Sequence, residues 1–253
     1  MPPYKKKSKF VEKLSSFYGR VVLCTVLSPF RKISPHFYTK AFRFLRGHNR
    51  HLNHLVSEQS NKIKSLRGYR QRPLFIDCGV NEGFVLSRYI EKLPDDFDFI
   101  GFEIQDNLVD MAQKNNPKAA IYHRAVSDSD GETKIYLPKT FGMNFRGGAS
   151  IISSKISPKN LHQVLKCSTI RFSDFLSQKI VEQKYDFVVI KMDIEGAEYK
   201  VIDDLYNTWK ETGSRLIDYL MVEFHPKTIT NGETQTAYEN KLDEMGIEYS
   251  TWL

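Results

Sequence analysis

Four short apolar runs constrain this chain more than anything else in it. "LFID" (74–77), "FDFIGFE" (97–103), "DFVVIKM" (186–192) and "DYLMVEF" (218–224) each meet an acid at or just past the carboxyl end: Asp77, Glu103, Asp193 and Glu223. Runs that are apolar throughout, rather than alternating, suit strands buried on both faces. Each precedes a stretch of helical character: "GFVLSRYIEKL" (83–93), "NLVDMAQKN" (107–115), "EYKVIDDLYNTW" (198–209) and "TAYENKLDEM" (236–245). A further strand is expected over "AAIYHRAV" (119–126). The alternation predicts an α/β fold, a mostly parallel sheet flanked by helices. Between residues 131 and 171 the pattern loosens into "TKIYL", a loop or lid at "FGMNFRGGASII", then "STIRF" before the helix "SDFLSQKI".

Charge divides the 253 residues into two parts. Residues 1–72 hold 17 Lys/Arg and 2 Asp/Glu, whereas 73–253 hold 20 and 28. We therefore separate a basic helical N-terminal extension, 1–72, from a domain over 73–253. The extension suits either a solvated helical arm or an electrostatic dock for an anionic membrane, a nucleic acid or a polyanionic glycan. Its apolar segment "VVLCTVLSPF" (Val21–Phe30) is about half the roughly 20 residues of a spanning helix, so a membrane-surface or buried helix is expected. Four histidines, His36, His48, His51 and His54, lack a nearby carboxylate set and read as surface residues. Cys24, Cys78 and Cys167 form no CxxC pair, which points away from a disulfide framework or a zinc site and towards a reducing, cytoplasmic compartment. Peripheral attachment to a membrane surface is compatible with that location.

The chemistry concentrates at strand ends. "DCGVNEG" sets Asp77, Gly79, Asn81 and Gly83 in a strand–turn–helix unit where a ligand can approach the backbone. Asn81 stands where the GxGxxG dinucleotide fingerprint has a glycine, which weakens a nicotinamide reading. Glu103 is placed to accept hydrogen bonds from both hydroxyls of a ribose. Asp77 would then meet a cationic amino-acid end, and Asp128 in "SDSDG" would either accept from an exocyclic amine or form a turn.

In order, "FIDCGVNEGF", "FIGFEIQDNLV", "AVSDSDGETKIYL", "VVIKMDIEGAEYKVIDDL" and "YLMVEFHP" resemble the FkbM family of S-adenosylmethionine-dependent methyltransferases over roughly residues 73 to 250. The most specific element is K-x-D-x-E-G-A-E at Lys191–Glu198. The resemblance implies a class I methyltransferase sheet, S-adenosyl-L-methionine as cofactor and O-methylation as the commonest activity. It places Asp77, Gly79, Asn81, Gly83 and Glu103 on the cofactor side, and Asp193, Glu195, Glu223 and His225 on the active-site side. Two departures stand out: the extension lies outside the shared region, and "GIEYSTWL" stands where the usual fold continues into a closing strand of a terminal hairpin, so the sheet edge is expected to be incomplete, altered, or covered by the extension or another subunit. A shortened hairpin at the sheet edge is expected.

An alcohol becomes a good nucleophile when a base removes its proton, and Asp193 and His225 are the two candidates, with Glu223 orienting the imidazole. Glu195 and Glu198 also suit a first helical turn, where acids complement the dipole and cap N–H groups, and for Glu198 that structural role is favoured. Lys191 is expected to neutralise a neighbouring carboxylate. Asp193, Glu195 and Glu223 could instead hold a divalent metal, an arrangement ranked below a metal-free one. Asn144, Arg146 and Ser150 in the lid are candidate substrate contacts. The leading expectation is O-methylation of a hydroxyl, with a sugar or glycan favoured. The alternatives are a binding module that has lost catalysis and tethers an anionic partner, or a nucleic-acid methyltransferase. The acidic balance of 73–253 argues against the last.

Overall fold

A computed structural model describes residues 48–139, 148–229 and 232–252, the first four of them through their backbone alone. The amphipathic and apolar segments read from the sequence become helix α1 (His48–Arg67), strand β1 (Pro73–Cys78), α2 (Phe84–Lys92), β2 (Asp98–Glu103), α3 (Asp106–Asn115) and β3 (Ala119–His123). After them come β4 (Ala125–Ser127), β5 (Gly131–Pro138), β6 (Leu161–Arg171), α4 (Phe172–Gln183), β7 (Phe187–Met192), α5 (Glu198–Thr212), β8 (Tyr219–Val222), α6 (Gln235–Glu244) and β9 (Glu248–Thr251). The compact unit that carries the sheet runs from Ser60 to Leu253.

Six strands form the main sheet in the order β3-β2-β1-β7-β8-β9, and all five pairings are parallel. This is the class I, Rossmann-like α/β arrangement. The chain leaves β1 towards β2 on one side and later returns with β7 on the other. The strand order thus switches between β1 and β7, and the crevice at their carboxyl ends is where such sheets bind ligands.

The strands are buried on both faces because helices cover both. On one face Leu74, Ile76, Ile190, Leu220 and Val222 pack with Phe172, Leu176, Val201 and Leu205 in one continuous core. The other face is aromatic: the Phe75 ring lies 4.5 Å from Tyr89 and 6.0 Å from Phe99, and Tyr89 lies 6.2 Å from Trp252. The last turns of α1 and the residues after it are tied to this unit. Ile63 is fully buried, Arg67 pairs with Asp96, and Arg70 lies 3.2 Å from Asp218.

Three local features differ from the sequence pattern. The expected strand over 119–126 is two strands in different sheets, because β4 breaks away to pair with β6. β6 begins at Leu161, well before "STIRF"; most of that extra length is exposed and is held by backbone pairing to β5, so no apolar run marks it. At the other end β9 lies directly beside β8 and parallel to it, and no antiparallel closing strand is present among the described residues. Trp252 follows β9, donates its N–H to Val222 O at 2.7 Å, and is 1% exposed.

Candidate active site

The turn after β1 brings two strand ends into contact. Gly79 and Val80 both donate N–H to Phe102 O, at 3.0 and 2.9 Å. Gly79 has φ +85°, and a Cβ built there would stand 2.0 Å from Asp193 O. Only glycine lets β1 and β7 close this far. Asn81 has φ +53°; asparagine tolerates this left-handed conformation, so its place in the glycine pattern costs the turn little. Its own Oδ1 accepts Glu82 N–H at 2.7 Å.

Glu103 and Asp77 stand beneath that turn with opposite satisfaction. Glu103 is buried and accepts three backbone N–H groups: Asn81 at 2.8 Å on Oε2, and Ile104 and Gln105 at 2.9 Å on Oε1. Burial pushes its carboxyl up, and the backbone donors oppose this. Asp77 is fully buried and neither oxygen has a hydrogen-bond partner. Its one close cation is Lys191 Nζ, 3.1 Å from Oδ1, a contact made by charge rather than by hydrogen-bond geometry. Burial raises the Asp77 carboxyl against that cation. Lys191 also lies 3.7 Å from Asp193 Oδ2. Burial would lower its ammonium, but Asp77 and Asp193 outweigh that and hold it above its usual range. Lys191 therefore neutralises carboxylates, as its position suggested.

The loop after β7 is shaped by Glu198, the first residue of α5. Its fully buried carboxylate accepts Ile194 N–H at 2.9 Å and Gly196 N–H at 2.8 Å; the role is structural, as expected, but it ties down the loop before the helix rather than capping the helix's own N–H groups. Oε1 also lies 3.1 Å from His225 Nδ1. His225 Nε2 faces Glu195 Oε2 at 3.3 Å and Glu223 Oε1 at 3.9 Å. The imidazole is thus oriented chiefly by Glu198 and Glu195, and Glu223 is the more distant acid. Burial would lower His225, but Glu195 and Glu198 override it and raise the imidazolium to about 10. Burial would raise Glu195, yet His225 and Lys155 bring it to about 2. Glu223 moves the other way, to about 6, through burial and then the neighbouring Asp193. Asp193, Glu195 and His225 offer ligand atoms within 4.8 Å of one another. This is a different trio from the one containing Glu223 considered above, and Lys155 Nζ already lies 2.8 Å from Glu195 Oε2.

Lys155 was not singled out in the sequence, and it belongs to the end of the lid. Ser150, also there, is fully buried; its hydroxyl donates to Glu195 O at 2.7 Å and accepts Ile152 N–H at 2.9 Å. It fastens the lid's return to the β7 loop. Asn144 and Arg146 lie outside the described residues. Asp128 accepts the hydroxyls of Ser127 and Ser129 at 2.9 and 3.3 Å. The sequence also gave no sign of Thr228, whose hydroxyl donates to His225 O at 2.8 Å.

A family sequence profile described as "Methyltransferase FkbM domain" matches residues 77–246, the span that carries the turn, the strand-end acids and Glu198 at the start of α5. The chain belongs to the FkbM methyltransferase family. No curated protein matches it. Among solved structures, this FkbM domain is similar to the plantazolicin methyltransferase BpumL in complex with SAH, at 12% identity, 92% coverage of this chain, 78% of that one and a TM-score of 0.38. It is similar to StiE O-MT residues 961–1257 at 10% identity, covering 72% of this chain and 47% of that one, with a TM-score of 0.35. For a sarcosine dimethylglycine methyltransferase from Galdieria sulphuraria the values are 9%, 82%, 58% and 0.35. The chain thus spans about half the length of these last two.

Proposed function

We propose that this FkbM-family protein is an S-adenosylmethionine-dependent O-methyltransferase acting on a hydroxyl group, with a sugar or glycan as the acceptor class. The observation that carries the reading is the Asp77 carboxylate, fully buried at the end of β1, where Oδ1 ion-pairs with Lys191 at 3.1 Å and Oδ2 has no hydrogen-bond partner among the described residues. Buried acceptors are normally satisfied, and an α-ammonium group is a fitting partner for this one. The residues present fit the cofactor: Asp77 for its amino end, Gly79, Asn81 and Gly83 for close backbone approach, and Glu103 for its ribose, with Asp128 bordering the base. Bound there, S-adenosylmethionine supplies a methyl group already activated on a sulfonium.

The chain's own residues then have to hold and deprotonate an alcohol. Asp193 is partly exposed at the switch point and is the first choice as proton acceptor. Glu223, raised to about 6, is matched to accept a proton near neutral pH. His225, held as an imidazolium by Glu195 and Glu198, suits hydrogen-bond donation to the acceptor oxygen better than proton removal. Glu195 fixes that imidazolium and pairs with Lys155, and the buried Ser150 hydroxyl holds the Glu195 loop in place; Asn144 and Arg146, outside the described residues, are proposed acceptor contacts. A metal-free reaction is the reading we favour, because Lys155 already pairs with Glu195 Oε2. We place the protein in the cytoplasm, with residues 1–72 docking on an anionic membrane surface or polyanion. Among the described residues no helix is long and apolar enough to cross a membrane.

Incubating the full chain with methyl-labelled S-adenosylmethionine and a panel of sugars and glycans should label a hydroxyl, and Asp193→Ala should abolish the label. Absence of S-adenosylhomocysteine binding in calorimetry would overturn the enzyme reading.

A further inference from the structure

Lys191 is the one side chain placed between the cofactor-side acid and the acceptor-side acid. It stands opposite Asp77 in the parallel register of β1 and β7, with Nζ 3.1 Å from Asp77 Oδ1 and 3.7 Å from Asp193 Oδ2. It is 2% exposed, so an unguided ammonium would have neither water nor slack. The ring of Trp252 lies 5.5 Å from Nζ, a cation–π contact. Trp252 is itself fixed, by its N–H on Val222 O and by Tyr89, whose hydroxyl reaches Met221 Sδ at 3.3 Å. The chain after β9 thus meets the ammonium through Trp252, and helix α2 backs that ring through Tyr89.

We propose that Lys191, clamped by Trp252, is a positioning residue that holds the Asp77 and Asp193 carboxylates together, coupling the methyl-donor pocket to the proton-accepting end of the site. The inference rests on the cofactor reading above and adds a residue, Trp252, that lies outside the family's matched span of 77–246. The titratable groups facing the clamp are Asp77 and Cys78 from β1, Asp193 after β7, Tyr89 from α2, Glu103 from β2 and Glu223 after β8. Of these, Asp77 depends most directly on Lys191, because it has no hydrogen bond to fall back on.

The sign of the effect follows from linkage. Without the ammonium, the folded Asp77 carboxyl rises further above its ordinary value of 3.8, so the folded state binds more protons than the unfolded one and stability falls as pH rises through that window. Unfolding midpoints of the full chain from pH 5 to 8 should therefore fall more steeply in Lys191→Met than in the parent. Trp252→Leu should do the same to a lesser extent, and Trp252→Phe should restore the parent slope. The double variant Lys191→Met/Asp77→Asn, which removes both charges, should fold and lose the added slope. In the second arm, S-adenosylhomocysteine binding is measured by calorimetry over the same range. Its affinity in Lys191→Met should fall about tenfold for each pH unit below the displaced carboxyl, while the parent changes far less.

Equal stability slopes in the parent, Lys191→Met and Trp252→Leu would overturn the proposal. So would failure of the double variant to fold, because Lys191 would then be acting through packing. A steep slope in Lys191→Met with none in Trp252→Leu would remove Trp252 from the clamp. If the parent itself fails to bind S-adenosylhomocysteine, the cofactor reading falls, and the stability arm still decides whether the clamp exists.

Discussion

At the scale of single residues, protonation divides the work among side chains that look alike in the sequence. Glu195 and Glu223 are both strand-end acids, yet one is drawn to about 2 by His225 and Lys155 and the other is pushed to about 6 by burial and Asp193. A second reading, with Glu223 rather than Asp193 as proton acceptor, requires methyl transfer to decline as pH falls through about 6 and Glu223→Gln to remove that limb from the rate profile; a profile without the limb leaves Asp193 as the base. Asp193→Asn should cost roughly 10²–10⁴ in turnover, the range of a lost general base. Gly79→Ala has no room beside Asp193 O and should lower stability by roughly 1–3 kcal/mol as an overpacked contact, read from chemical denaturation. The acids themselves were legible in the sequence, because an acid after an apolar run must emerge at a strand end. Their protonation was not: "VEFHP" places Glu223 near His225 in the chain, but the imidazole faces Glu198 and Glu195, which only the fold brings to it.

At the scale of elements, the loop after β7, the start of α5 and the lid's return form one network. Glu198 holds the loop N–H groups and His225, and Ser150 and Lys155 hold Glu195. The Glu195–His225 pair makes stability pH-dependent in two directions. Glu195, depressed to about 2, stabilises above its ordinary 4.5 and loses this as pH falls through about 2. His225, raised to about 10, stabilises below its ordinary 6.5 and loses this as pH rises through about 10. The unfolding midpoint should therefore drop between about pH 6.5 and 10, and His225→Gln should flatten that drop. Strands β1, β2, β7 and β8 could be read from apolar continuity, and α2, α3 and α5 from their periodicity. The full β6 could not, since an exposed ribbon held by backbone pairing carries no hydrophobic signature. The sequence also showed the lid as a glycine-rich stretch without showing what it fastens to.

At the scale of the whole molecule, charge alone divides the chain at residue 72, whereas the compact unit begins at Ser60. Three of the five cations of 60–72 pair with acids of the domain: Lys62 lies 2.5 Å from Glu248, Arg67 pairs with Asp96 and Arg70 with Asp218. Exposed pairs of this kind contribute little singly, but Ile63 is fully buried. A chain beginning at Pro73 should thus be less stable than one beginning at Ser60, by at least the roughly 2–5 kcal/mol of a lost core isoleucine, measurable by urea titration. Composition could not locate this boundary, since basic residues look the same whether they face solvent or a neighbouring acid.

All six strands of the main sheet run the same way, so every one of them delivers its loop to the same rim and receives its chain from the other. Insertions or exchanges in the receiving connections, such as those around Asp96 and Asp218, are separated from the reacting rim by the length of the strands. On the proposed function, acceptor preference can consequently drift by loop replacement at one end while the scaffold is tuned for stability at the opposite end, with little interference between the two.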